Sequence, residues 1–329
     1  MMHRRTVLRV VLGLAIALSA APPALPAQRS KIPRIGVLLS VSRPETPEAG
    51  AFSAGLRDLG YVEGQNILVE WREAEGKASR FAAFAAELVG LNVDVIVASV
   101  NPAIEAARAA TKTTPIVMVN PSDPVGTGFV HSLAMPGGNV TGLTYQTREA
   151  VPKRLQLLKE AISGLSRVAV LWDATEPVRR RQVEEAERAA PEVGVQLQVV
   201  EVRSPADLEG AFAAMARGRA GAVLVEASSM LAVNRIRIAD LAVKNRLPTI
   251  GWFGTIADAG ILMGYGPNLR EQYRRAAYFV HRILRGAAPA DLPVEQPTTF
   301  ELVINLKTAE TLGVKIPPSV RLRADRVIE

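Results

Sequence analysis

The sequence predicts an α/β protein in which one unit, a parallel sheet covered by helices on both faces, is used twice. Three observations carry this reading. Short runs rich in Val and Ile alternate with amphipathic stretches of helical length, the pattern of parallel sheets sandwiched by helices. The strand candidates recur at a near-constant interval: those starting at Arg34, Ile67, Asp94 and Pro115 are followed by starts at Arg167, Gln196, Gly221 and Pro248, offsets of 133, 129, 127 and 133 residues, and such self-similarity marks a repeated unit. Finally, 329 residues at 48% hydrophobic and 22% charged exclude a disordered or collagen-like chain and allow two lobes with their own cores.

The amino terminus reads as a targeting segment. Arg4, Arg5 and Arg9 precede a 12-residue apolar run, Val10 to Ala21, and small residues follow near Ala24 to Ala27. A membrane span needs about 20 apolar residues, so the run is too short, and the arrangement is that of a secretory signal peptide. Cleavage is expected after Ala27, and the Arg4-Arg5 pair is also compatible with twin-arginine export. Without residues 1–27 the chain keeps 36 of its 39 basic and all 32 acidic residues, so its net charge falls from +7 to +4.

The remaining elements follow in order. Strands are expected at residues 34–39, 67–71, 94–98, 115–119 and 139–145, with helices at 50–59 and 79–89 and one opened by Pro102, which lacks the N–H that a helix start leaves unused. Ala51, Phe52, Leu56 and Leu59 share one helical face, as do Phe81, Phe84, Ala85 and Leu88. The second half repeats this with strands at 167–172, 196–202, 221–225, 248–251 and 260–265 and helices at 153–162, 177–190, 205–216 and 231–245. Arg34-Ile35-Gly36-Val37-Leu38 is answered by Arg167-Val168-Ala169-Val170-Leu171. A tail remains, with a long helix at 269–284, a proline-bearing loop at 287–297, a strand at 299–304 and a short helix at 306–312, surplus to the two units and able to pass between them.

Most catalytic chemistry is excluded. There is no cysteine, hence no disulfide, thiol nucleophile, iron–sulfur cluster or lipid anchor on Cys. His3, His131 and His281 are too far apart for a metal motif. The turn after the first strand, Ser40-Val41-Ser42-Arg43-Pro44, lacks the glycines of a phosphate or dinucleotide loop, and no Gly-x-Ser-x-Gly elbow is present. The Arg179-Arg180-Arg181 cluster precedes Glu184, Glu185 and Glu187, which suits a solvated helix face rather than nucleic acid. No metal and no cofactor is expected.

Ligands of open parallel sheets bind beyond the carboxyl ends of the strands. The residues there are Ser40, Ser42, Ser99, Asn101, Asn120, Ser122 and Asp123 in the first half. In the second half they are Trp172, Asp173, Thr175, Glu226, Ser228, Ser229, Trp252 and Phe253. Tyr265 joins them at the end of the fifth strand of that half. Each hydroxyl or amide could instead cap a helix, but three of only 16 aromatic residues fall at strand ends. The mixture suits a small zwitterion. Ser99 and Asn101, at the helix opened by Pro102, are expected to hold a carboxylate, Asp123 or Glu226 an ammonium, and Trp172, Trp252 or Phe253 an apolar or aromatic side chain. The absence of a Lys or Arg cluster in this set disfavours phosphate.

Several stretches resemble a known family: Pro115-Ile116-Val117-Met118-Val119, Asp123-Pro124-Val125-Gly126-Thr127-Gly128-Phe129-Val130, Pro136-Gly137-Gly138-Asn139-Val140-Thr141-Gly142, Gly264-Tyr265-Gly266-Pro267-Asn268, and the closing run from Phe300 to Ala309 with Arg323-Ala324-Asp325. They are similar to the ABC-transporter substrate-binding proteins of the TrpX-like, type I periplasmic-binding-protein group. The resemblance spans the chain after the signal. It implies two Rossmann-like lobes joined by a three-crossing hinge, no catalysis, and delivery of a captured solute, in some relatives an aromatic amino acid, to the membrane subunits of an ABC permease. Lacking the anchoring Cys of some relatives, the chain is expected free in the periplasm and monomeric. Trp252-Phe253-Gly254 is less polar than the resemblance would suggest, which leaves the ligand open. The lobes are expected to comprise residues 32–145 with about 267–296, and 146–266 with about 297–329. The crossings fall near 145–148, 264–268 and 293–298, where Gly264 and Gly266 could absorb a closing motion. Two other classes stay open: a periplasmic ligand sensor docking on a membrane signalling receptor, and a secreted enzyme with Asp123 and Glu226 as an acid/base pair.

Overall fold

The computed structural model describes residues 32–43, 47–145 and 147–329; the signal segment expected at residues 1–27 lies outside them. Strands β1 (Arg34–Leu39), β2 (Leu68–Glu73), β3 (Val95–Ser99), β4 (Ile116–Val119) and β5 (Val140–Leu143) form one sheet in the order β2-β1-β3-β4-β5, every pair parallel. Successive side chains of a strand point to opposite faces, and the core divides accordingly. Ile35, Val37 and Leu39 pack with Val95, Val97, Val117 and Val119 on one face, and Leu38 with Ile96, Ala98, Ile116 and Met118 on the other. The first face is covered by α1 (Pro47–Asp58) and α9 (Leu269–Leu284), the second by α2 (Arg80–Gly90) and α3 (Val100–Ala110).

The second sheet repeats the first. Strands β6 (Arg167–Asp173), β7 (Gln196–Val202), β8 (Ala222–Val225), β9 (Thr249–Gly251) and β10 (Met263–Pro267) are ordered β7-β6-β8-β9-β10, strand for strand the order of β1 to β5. Val168, Val170 and Trp172 face α4 (Thr147–Ala161) and α5 (Arg180–Val193). Ala169 and Leu171 face α6 (Leu208–Arg217) and α8 (Arg235–Lys244). Two strands extend this sheet: β11 (Phe300–Asn305), antiparallel to β10, and β12 (Arg326–Ile328), parallel to β11.

The chain passes between the sheets three times, from β5 to α4, from β10 to α9, and from the loop after α9 to β11. Before the last crossing Glu295 still bridges Leu143 of β5. This is the two-lobed, type I arrangement. Several boundaries differ from the sequence reading. Helix α4 runs from Thr147 to Ala161 and carries Pro152 inside it, where the sequence places a helix at 153–162. The helix expected at 177–190 opens as a 3₁₀ turn, Pro177–Arg179, and α5 runs on to Val193 through Pro191. The stretch 231–245 divides at Asn234 into α7 (Ser229–Val233) and α8. Short helix α10 (Leu306–Leu312) falls where expected, but α11 (Pro318–Arg321) and β12 carry too few residues to show a periodicity. Among the described residues no helix is long and apolar enough to cross a membrane.

Candidate ligand-binding cleft

The carboxyl ends of the two sheets face one cavity of about 500 Å³, within the usual range for small-molecule sites. On the first-lobe side Ser40 follows β1, Ser99 ends β3 and Asn120 follows β4; Glu48 enters from the first turn of α1 and Tyr273 from α9. On the second-lobe side Ser228 and Ser229 follow β8, and Trp252 and Phe253 follow β9. Tyr145, just after β5, lies against them, its ring edge-on to Phe253 with centroids 5.0 Å apart.

The backbone is strained where it meets the cavity. Val100, the first residue of α3, has φ of 61°, and Asn120 has φ of 58°. Asn tolerates this region, but a β-branched residue there is an outlier held only by its surroundings. Ser99 does not cap α3; its hydroxyl donates to the Leu38 carbonyl at 3.1 Å.

Behind the second-lobe wall lies a buried polar network. Arg154 of α4 is fully buried and its Nη1 stands 3.2 Å from Glu226 Oε2, while its Nη2 donates to the Tyr145 hydroxyl at 2.8 Å. That hydroxyl donates to the Trp252 carbonyl at 3.4 Å. The Gln182 amide donates to Glu226 Oε2 at 2.7 Å and accepts from Arg179 at 3.1 Å. Arg179 in turn pairs with Glu176 at 2.9 Å, whose other oxygen accepts from the Ser229 N–H at 3.0 Å. The network thus ties the crossing at Tyr145 to both loops that carry second-lobe cavity residues. Burial pushes the Tyr145 phenol up to about 12, against the pull of Arg154. Burial also works against the Arg154 charge, but Tyr145 and Glu226 hold its pKa above the ordinary value. Glu48 is raised by burial, against its own backbone N–H and, at longer range, Arg270 and Arg235.

Seven of the residues read from the sequence therefore meet at the cavity: Ser40, Ser99, Asn120, Ser228, Ser229, Trp252 and Phe253. The others sit elsewhere. Ser42 is beyond the lining. Asn101 and Ser122 bond each other, at 3.3 and 3.1 Å. Asp123 accepts from the Gly126 N–H and pairs with Arg181 of α5, an ion pair that spans the two lobes. Trp172 packs in the core on the same face as Val168 and Val170, under the Arg180 guanidinium. Asp173 binds the N–H and hydroxyl of Thr175 at 2.9 and 2.6 Å. Glu226 is committed to Arg154. Tyr265 stacks on Phe300 at 5.8 Å.

Reading strand ends alone misses Glu48, Tyr273, Arg179 and Arg235, which helices and a 3₁₀ turn bring in. The expectation of a site without a Lys or Arg cluster is corrected by Arg179, Arg235, Arg270 and Arg326, which all line the cavity. Arg179 pairs with Glu176, and Arg326 bidentately with Asp258 at 2.6 and 2.9 Å. Among the described residues no group of three or more His, Asp or Glu side chains could hold a metal ion.

The family model for ABC transporter substrate binding proteins matches residues 34–328. A protein from Clostridioides difficile (strain R20291) called tyrosine-binding protein is 25% identical over 294 residues, 89% of this chain and 83% of that protein. The crystal structure of a conserved domain protein from Vibrio cholerae matches 90% of this chain and 100% of its own at a TM-score of 0.83 and 28% identity. An ABC domain from Streptococcus pneumonia in complex with L-Trp matches 90% of this chain and 99% of its own at a TM-score of 0.81 and 27% identity.

Proposed function

The chain belongs to the ABC transporter substrate binding protein family, and from that premise we propose that it captures an apolar or aromatic amino acid in the interlobe cleft and delivers it to a membrane permease. The observation that carries this reading is the composition of the cleft. Tyr145, Trp252, Phe253 and Tyr273 give it rings on both sides, and Ser40, Ser99, Asn120 and Ser228 give it uncharged polar groups. An aromatic ring stacked in such a site gains about 0.5–1.5 kcal/mol beyond its buried area. Relatives whose names carry tyrosine binding and an L-Trp complex point to the same ligand class.

In this reading residues 32–145 with about 267–296 form one lobe, and 146–266 with about 297–329 the other. Closure about the three crossings excludes water from the ligand and marks the protein as loaded. Residues 1–27 direct export and are removed, leaving a free periplasmic protein that acts as a monomer.

A thermal-shift screen of the amino acids, common sugars and nucleosides tests the reading. At a hundred times its dissociation constant the true ligand stabilises by about 2.7 kcal/mol. Tyrosine or tryptophan is expected to give this shift. A clear shift with a sugar or nucleoside, and none with any amino acid, would overturn the ligand class.

A further inference from the structure

Glu48 stands apart from the other acids of the molecule. It is the second residue of α1, only 7% exposed, and it lines the cavity. Among the described residues its carboxylate makes no ion pair; Arg270 and Arg235 act on it only at longer range, and Asp258 opposes them. The Tyr273 phenol is close enough to feel its charge. A buried carboxylate without a countercharge is costly, and so is a buried carbonyl oxygen that accepts no hydrogen bond. Asn120 supplies the latter: it is 8% exposed, lines the same cavity, and its Oδ1 accepts no hydrogen bond.

A carboxylate without an ion-pair partner and an unmet carbonyl oxygen in one cavity call for a donor with several N–H groups and a positive charge. A hydroxyl would satisfy Asn120 but leave the Glu48 charge unbalanced. A metal ion would need more ligands than the described residues gather here. A primary ammonium meets both demands, with three donors and one charge. Resting on the amino-acid reading above, we propose that Glu48 and Asn120 form the amine-binding pole of the cleft, both accepting hydrogen bonds from the ammonium group of the ligand. Both belong to the first-lobe wall, so the amine anchors there while Trp252 and Phe253 of the second lobe close over the side chain.

The test is calorimetry on the mature chain with L-tyrosine and L-tryptophan, each beside the propanoate analogue that lacks only the amine. The parent is expected to prefer the amino acid by about 100-fold, the scale of a buried charge partner. Glu48→Gln should reduce that preference below about 10-fold by weakening the amino acid and sparing the analogue. Asn120→Gly keeps the left-handed backbone at no steric cost and removes the acceptor; it should reduce the preference by about 5- to 10-fold. A change confined to folding would weaken both ligands alike and leave the ratio intact.

Stability supplies the control. The Glu48 carboxyl titrates above its ordinary value of 4.5, so the fold disfavours its charged form. That cost is present at neutral pH and disappears as the pH falls toward and below 4.5. Ligand-free Glu48→Gln should therefore melt no lower than the parent at neutral pH. If it fails to fold, the ratio in Asn120→Gly decides. A parent that prefers the amino acid together with variants that keep the preference undiminished would overturn the amine pole alone. A parent that binds neither the amino acids nor their analogues would remove the functional reading and the amine pole with it.

Discussion

Replacing Arg154 by Met is expected to lower the unfolding free energy by about 3–5 kcal/mol, the cost of stranding a buried charge. The side chain is fully buried and its partner Glu226 is 1% exposed, so water cannot take over the lost contacts. Glu226 Oε1 already lacks a hydrogen-bond partner, and the unpartnered Arg154 Nε donor leaves with the substituted side chain, so the change removes the charge opposite Glu226 and adds no donor. The cost belongs to the broken pair rather than to the pair itself. Adding Glu226→Gln, which removes the stranded charge, should recover most of the loss. Equilibrium urea unfolding of the parent, both single variants and the double variant gives the comparison. The same cycle should register in binding, because Arg154 holds the Tyr145 hydroxyl and Tyr145 touches both the Trp252 carbonyl and the Phe253 ring. A single variant that costs less than about 1 kcal/mol would show that the network is no more than a satisfied surface pair in energetic terms.

The fold was legible where the chain repeats itself. Buried parallel strands must be apolar on both faces, so β1, β3, β4, β6 and β8 stand out as Val- and Ile-rich runs, and their spacing exposes the duplication. Strand β12 was not legible because three residues at a sheet edge, Arg326–Ile328, carry no such signal. The site was legible only in part, for a physical reason. Strand ends converge by construction, which brings Ser40, Ser99, Asn120, Ser228 and Trp252 to one cavity. Glu48 and Tyr273 arrive on α1 and α9, helices more than two hundred residues apart in sequence that pack together on one sheet face, and nothing in local pattern announces that. Trp172 could have been read correctly: it is in phase with Val168 and Val170, so it must share their buried face.

Gly266→Ala is the second large effect expected, and it reverses the reading of this glycine as a pivot. Gly264 and Gly266 lie inside β10, paired with β9 and β11, and neither has positive φ. Space is what they supply. A Cβ on Gly266 would lie 1.9 Å from the Trp252 carbonyl oxygen, and one on Gly264 would lie 2.1 Å from that of Phe253. Both obstacles are backbone, so no rotamer change can relieve them, and overpacking of this kind costs about 1–3 kcal/mol or more. The two carbonyls belong to the loop that carries the cavity rings, and the Trp252 carbonyl also receives the Tyr145 hydroxyl. Gly266→Ala should therefore lose about 3 kcal/mol of stability and weaken ligand binding, because the loop must move away from β10. The control is Gly210→Ala on the exposed face of α6, where a Cβ meets nothing within 4 Å and alanine should stabilise by about 1 kcal/mol. Urea unfolding and calorimetry on both variants separate the two readings of Gly266. Lost affinity with unchanged stability would restore the pivot, and an unchanged midpoint with unchanged affinity would refute the close approach of β10 to the loop.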